Sequence, residues 1–162
     1  MTIRTGIGYD VHRFTPGRPL KLGGVEISFE LGLEGHSDAD VLLHAIADAL
    51  LGAAAKGDIG QHFPPDDPAY RDASSLDLLR DVMQILRSSG FHPVNLDTTL
   101  ICEAPKIARY ADAMRSAISN VTGLDDATIN IKATTNEGMG FIGRGEGIAA
   151  LAIATVRESE QD

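Results

Sequence analysis

The hydrophobic period of this chain switches from two to about 3.6 and back, and that switching restricts its possible folds more than any other feature. Residues 3–12 alternate closely enough for a strand, and "PLKLGGVEISF" reads as a hairpin with a Gly23-Gly24 turn. In "GHSDADVLLHAIADALLGAAA" the period lengthens: Leu42, Ile46, Ala49 and Leu50 form a helical stripe. Ser37 or Asp38 is the expected N-cap, and Ser37 with Asp40 makes a weak capping box. Residues 57–75 are rich in Pro, Asp and Gly and read as a long functional or mobile loop without regular structure. A second helix follows in "SSLDLLRDVMQILRSSG", capped by Ser74 or Ser75 and stopped at Gly90. "VNLDTTLIC" is a strand, and "APKIARYADAMRSAISNVTG" a third helix with Pro105 early and Gly123 at its end. "ATINIKATT" and "GIAALAIATVR" are strands; the second is apolar on both faces and is expected to be buried. The order βββ-α-α-β-α-β-β predicts an α/β (α+β) two-layer sandwich, one mixed sheet with helices on one face. Residues 1–157 form a single domain and 158–162 a solvated tail.

Composition narrows the function. The chain has 162 residues, long enough to close a core without staples. Its single Cys102 excludes a disulfide framework and a thiolate-rich zinc site. Aromatic residues are few, so the core is built from Ala, Leu, Ile and Val, which suits close helix–sheet packing and burial against sister subunits. A net charge of −9 with no basic run argues against nucleic acid or an anionic membrane as partner. A small phosphorylated ligand stays possible if bound cations or oriented N–H groups offset the protein's own field. No signal segment or spanning run is evident, so a cytoplasmic protein is expected.

Three stretches carry candidate chemistry. In "GYDVHRF", Asp10 and His12 share one face of a strand, and Asp40, His44 and Asp48 line one side of the first helix. If the two meet, Asp10, His12 and His44 make the N/O ligand set of a zinc ion with an open fourth position. Spacing alone leaves a second reading open, with Asp10 in a turn and both histidines on solvated faces. His36 and Ser37 precede a helix N-terminus, where donors can face an anion or merely cap the helix. In "KATTNEGMGFIGRGEG", glycines at 138, 140, 143, 145 and 147 let the backbone approach a ligand. Thr134, Thr135, Glu137 and Arg144 there supply hydroxyls, a hard oxygen and a phosphate-matching fork, or else solvated charges on a connection. His62 and His92 read as solvated loop residues, and Cys102 as a small core residue.

Taken together, "GYDVHRF", "GHSDADVLLHAIADALLGAAAKGDIGQHFPPDDP", "EAPK" and "KATTNEGMGFIGRGEGIA" resemble the 2-C-methyl-D-erythritol 2,4-cyclodiphosphate synthases, nearly end to end. The resemblance implies a ferredoxin-like subunit in a homotrimer with active sites between subunits. It implies a metal-dependent cyclisation of 4-diphosphocytidyl-2-C-methyl-D-erythritol 2-phosphate that releases CMP in non-mevalonate isoprenoid biosynthesis. Zinc (Zn²⁺) would be held by Asp10, His12 and His44, and Mg²⁺ or Mn²⁺ bridging the substrate diphosphate by Glu137. His36 and Thr135 would steady the transition state, and Asp10, His12, His36 and Ser37 would contact substrate. Asp58, Ile59, Gly60, Phe63, Pro64, Pro65, Asp66 and Asp67 would line the methylerythritol phosphate region. Cys102, Glu103, Ala104, Pro105, Lys106, Ile107 and Ala108 would receive the cytosine. Thr134, Thr135, Asn136, Glu137, Phe141 and Arg144 would complete the diphosphate end. An isoprenoid diphosphate on the threefold axis is a further implied partner, with Arg144 and Glu146 near its mouth. Asn136 and Gly138 depart from the Thr and Lys common in relatives, which bears on any contact from residue 136. From the ligand set alone, a zinc hydrolase of a phosphoester or amide also remains open.

Overall fold

The computed structural model describes residues 2–64 and 66–159. Twelve labelled elements follow one another: β1 (Ile3–Thr15), β2 (Leu20–Leu22), β3 (Val25–Ile27), β4 (Gly32–Leu33), α1 (Val41–Ala53), α2 (Ile59–His62), α3 (Ser75–Ser88), β5 (Phe91–Ile101), α4 (Ala111–Thr122), β6 (Ile129–Thr134), α5 (Gly140–Gly143) and β7 (Gly147–Glu158). A mixed sheet runs β4-β1-β7-β5-β6, and β2-β3 forms a separate hairpin. Only β5 and β6 are parallel, joined through α4; the other neighbours are antiparallel. This is the expected two-layer architecture, with α1, α3 and α4 packed over one face of the sheet.

Small residues bring the layers together. Ala150, Ala152 and Ala154 of β7 are buried beneath α1, and β1 faces the same helix with Gly6 and Gly8. A Cβ on Gly8 would lie 1.9 Å from the Ala45 carbonyl oxygen, so α1 rests directly on the backbone of β1. α1 is buried on nearly every side, with Leu42, Leu43, Ile46, Leu50 and Leu51 at most 1% exposed. It lies between the sheet and α3, whose Leu79, Val82, Met83 and Leu86 close the core over it.

The opposite face of the sheet is open. Ile7 pairs with Ile153 and Tyr9 with Leu151 across β1–β7, and these side chains are 70%, 44%, 52% and 36% exposed. β7 is therefore buried on one face of this chain, not on both as its apolar sequence suggests. Period alone cannot tell a core strand from one whose second face awaits another surface.

Other boundaries also differ from expectation. The N-cap of α1 is Asp40, not Ser37 or Asp38: its carboxylate accepts the Leu43 N–H at 3.1 Å. The same carboxylate accepts Gly23 N–H at 2.9 Å and Gly24 N–H at 2.7 Å, so it is wholly buried under the hairpin and leaves the polar stripe of His44 and Asp48. Residues 57–75 contain regular structure after all, because Asp58 caps α2 and Asp67 caps a 3-10 turn at Pro68–Tyr70. The third helix starts late: a 3-10 turn at Ala108–Tyr110 leads into α4, and Pro105 lies outside it. Glu158 is a strand residue paired with Phe91, and the Ser159 N–H donates to Gly90; the rest of the expected tail, 160–162, lies outside the described residues. His62 lies in α2 and His92 in β5, and their rings are hydrogen-bonded to the Lys56 carbonyl and the Ser159 hydroxyl, so neither is a free loop residue. No described helix is long and apolar enough to cross a membrane.

Candidate metal centre and adjoining cavities

Asp10 and His12 follow Gly6 and Gly8 along the helix-facing side of β1. Because the glycines admit α1 so closely, His44, one turn into the helix, reaches them. Its Nδ1 lies 3.1 Å from Asp10 Oδ2 and 3.3 Å from His12 Nε2, and His12 Nε2 is 2.9 Å from Asp10 Oδ2. One ligand atom from each of the three residues thus falls within 4.8 Å of the others, the only such cluster among the described residues. The His44, His12 and Asp10 side chains are 14%, 18% and 26% exposed, enough for one open position. Two imidazoles and a carboxylate so disposed fit a tetrahedral divalent ion that keeps a fourth site free. His12 Nδ1 donates to the Glu34 carbonyl at 2.6 Å, which turns Nε2 toward the cluster.

Charge balance in the cluster favours Asp10 as an anion. Burial by itself lifts its carboxyl, but the hydrogen bonds and charges of His12 and His44 outweigh this and hold it well below the usual carboxylate range. Burial pulls His12 down, yet Asp10 and the Glu34 carbonyl raise it above an ordinary histidine. Without an ion His12 therefore holds a proton more readily than an ordinary histidine.

The cluster opens into a cavity of about 260 Å³ lined also by Gly35, His36, Ser37, Ile59, Gly60, Phe63, Tyr70 and Leu78. Here the fold gathers residues far apart in sequence. Arg18 donates to the carbonyls of Gly35 and Ser37 and so clasps the loop that carries His36. Asp48 accepts the Ile59 N–H at 2.7 Å and ties α2 to α1. A second cavity, of about 370 Å³, is lined by Cys102, Glu103, Pro105, Lys106, Ile107 and Ala108 together with Ala133, Thr134 and Thr135. The two cavities share no lining residue. Phe141 lines a third, beside His12 and Glu146.

Not every candidate joins them. Asp58 caps α2, Asp67 caps the turn after it, and Pro64, Asp66 and Ala104 line none of the three cavities. Pro65 lies outside the described residues. Glu103 also serves its own neighbourhood, since its Oε1 accepts the Asn136 N–H at 2.8 Å and pins the β6–α5 turn. The Asn136 side chain bonds the Met139 carbonyl, and Arg144 pairs with Glu146 at 2.7 Å. Glu137 is exposed and has a left-handed backbone at φ 52°, which costs energy for a residue with a side chain.

Sequence reasoning did not select Gly35, Tyr70, Leu78, Arg18 or Ser75 for the site. No local signal marks the first four, since a cavity wall and a clasp on a carbonyl require no motif. Ser75 read only as a helix cap.

Comparison with known proteins bears on the chain as a whole. The YgbB family profile matches residues 3–157. A relative from Symbiobacterium thermophilum, named 2-C-methyl-D-erythritol 2,4-cyclodiphosphate synthase, is 62% identical over 93% of this chain and 96% of its own length. One of the same name from Moorella thermoacetica is 54% identical over 98% of this chain and 97% of its own. Among solved structures, the bifunctional IspDF from Campylobacter jejuni superposes with a TM-score of 0.94 at 43% identity, covering 98% of this chain and 43% of that longer one. The CDP complex of IspF from Plasmodium falciparum gives 0.85 at 31% identity over 98% and 97% of the two chains.

Proposed function

The chain belongs to the YgbB family, and from that premise we infer that it is a cyclase of isoprenoid precursor biosynthesis. It converts 4-diphosphocytidyl-2-C-methyl-D-erythritol 2-phosphate to 2-C-methyl-D-erythritol 2,4-cyclodiphosphate and CMP. The observation that carries the reading is the convergence of Asp10, His12 and His44 within 4.8 Å at the mouth of a cavity.

The chemistry asks little proton transfer of the protein. The attacking 2-phosphate has a second pKa of about 6 and is already ionised at neutral pH. It displaces CMP from the β-phosphorus of the same molecule, so no added nucleophile or base is needed. The obstacles are repulsion between phosphates and the entropy of bending a flexible chain. Holding the reacting atoms in an attack pose supplies up to about 7–11 kcal/mol in favourable cases.

Zinc on Asp10, His12 and His44, with Mg²⁺ or Mn²⁺ at Glu137, would neutralise and orient phosphate oxygens as Lewis acids. His36 and Ser37, clasped by Arg18, present donors beside the cluster. Ile59, Gly60 and Phe63 give the cavity an apolar wall suited to the methylerythritol carbon chain. Asp58, Pro64, Pro65, Asp66 and Asp67 would shape the rest of that region. The 102–108 segment with Thr134 and Thr135 offers a separate cleft for the cytidine end. Thr135, Asn136, Glu137, Phe141 and Arg144 would meet the diphosphate.

Separate clefts within one chain support a homotrimer that joins the metal cavity of one subunit to the cytidine cleft of the next. The open apolar face bearing Ile7, Tyr9, Leu151 and Ile153 is the surface such a trimer would bury, leaving room on the threefold axis for an isoprenoid diphosphate. Equilibrium sedimentation checks the assembly, and a monomer at assay concentration would count against it. Function is tested by ³¹P NMR of the purified protein with substrate and divalent metal. Cyclic product and CMP are expected, without oxygen from ¹⁸O-water, and with loss of turnover in chelator and in His44→Ala. Solvent oxygen in the product, or full turnover by metal-stripped protein, would refute it.

A further inference from the structure

We propose that Ser75 and Asp38 are positioning residues that hold the His44 ring in the tautomer and orientation a metal ion requires. His44 uses Nδ1 toward Asp10 and His12, which leaves Nε2 on the far side of the ring. That nitrogen lies 3.0 Å from the hydroxyl oxygen of Ser75, the first residue of α3 and 1% exposed. The Ser75 hydroxyl donates its own proton to Asp38 Oδ1, and the Ser75 N–H donates to Asp38 Oδ2 at 3.1 Å.

The direction of these bonds decides the tautomer. With its proton committed to the Asp38 carboxylate, Ser75 Oγ can only accept, so the proton of a neutral His44 sits on Nε2. The Nδ1 lone pair then points at the cluster. Asp38, acting through one hydroxyl, also makes Nδ1 the better donor, as outer-shell carboxylates do for metal-bound histidines. The arrangement parallels His12, whose rear nitrogen is held by the Glu34 carbonyl. Ser37 Oγ also lies 3.1 Å from His44 Nε2 and accepts the Ala39 N–H; with no carboxylate to hold its proton, its hydroxyl turns to suit the ring and does not set the tautomer. The competing account is that Asp38 simply caps α3, whose own N-cap Ser74 makes no side-chain bond. Ser75→Ala separates the two, because it removes the contact with His44 and keeps the backbone N–H on Asp38.

The inference rests on the metal reading of the Asp10, His12 and His44 cluster. Its test is Zn²⁺ binding alone, measured on the full chain by competition with a chromophoric chelator, beside the thermal midpoint of the metal-free protein. Ser75→Ala is expected to bind zinc roughly 10- to 100-fold more weakly than wild type. Asp38→Asn should weaken it in the same direction, and Ser75→Thr should restore it. A second readout needs no variant: in zinc-loaded wild type the His44 Nε2 proton gives a downfield resonance, slow to exchange, with a cross-peak to the Ser75 β-protons. A wild-type chain that takes up no zinc overturns the metal reading and this inference with it. Zinc bound by wild type and equally by Ser75→Ala, or a missing Nε2 proton signal, overturns this inference alone.

Discussion

Gly8→Ala is the substitution that most directly tests how the metal cluster is assembled. A Cβ there would sit 1.9 Å from the Ala45 carbonyl oxygen and 2.8 Å from the Ala49 nitrogen, both backbone atoms of α1. A carbon–oxygen contact relaxes only at about 3.3 Å, so helix and strand must part by about 1.4 Å. Overpacking of this kind costs about 1–3 kcal/mol, and here nothing flexible can yield, so the upper end is expected. The displacement falls one residue after His44, which now reaches Asp10 Oδ2 at 3.1 Å. Adding the shift puts the pair beyond about 4 Å, too far for one ion, and misplacements of about 1 Å can cost 10²-fold in function. Urea unfolding and zinc competition on the same samples measure both effects. Gly52→Ala is the control: it lies in the same helix, an added Cβ would meet its nearest neighbour at 4.0 Å, and it should stabilise the protein by about 0.8–1 kcal/mol. A Gly8→Ala protein with wild-type unfolding midpoint and zinc affinity would refute the claim that backbone contact between α1 and β1 sets the cluster.

Arg18→Ala should cost about 1–3 kcal/mol and lower kcat/KM without weakening zinc binding, because two charge-assisted bonds to the 35–37 loop are lost while a cation that opposes positive charge at His12 is removed. Arg18→Lys should recover only part of this, having no fork; steady-state kinetics with calorimetry decides it. In metal-free protein the depressed Asp10 contributes stability above its unfolded pKa of about 3.9, which is lost as pH falls through the lower folded value. The raised His12 contributes below its unfolded pKa of about 6.5, which is lost as pH climbs through the higher folded value. The joint contribution is therefore largest between those two unfolded values, and urea midpoints from about pH 3 to 9 on chelator-stripped protein should show it; a flat profile would not fit. Cys102 is buried, and burial with the nearby Glu103 charge pushes its thiol up to about 11, so alkylation at neutral pH should be slow until the chain is denatured.

Some of this protein was legible in one dimension. Hydrophobic period located the main strands and helices, since each element shows a neighbour the same face at every repeat. The ligand types in "GYDVHRF" and the first helix, and the glycine-dense turn after β6, were visible because their chemistry is intrinsic to the side chains. The nearness of Asp10 to His44 was not, for it depends on two bare glycines letting a helix lie on a strand. Ser75, with Asp38 behind it, came within reach of His44 only when α3 packed over α1, and a hydroxyl's role is set by what lies on either side of it. Asp40 shows the reverse: helical spacing places it beside His44, yet three backbone N–H groups draw its carboxylate under the β2–β3 hairpin. The two faces of β7 read alike in sequence, because burial belongs to the surface opposite and not to the strand. Sequence determined which groups were available and which faces were apolar; tertiary structure alone decided which groups met, since contacts between distant residues depend on backbone packing that no local pattern encodes.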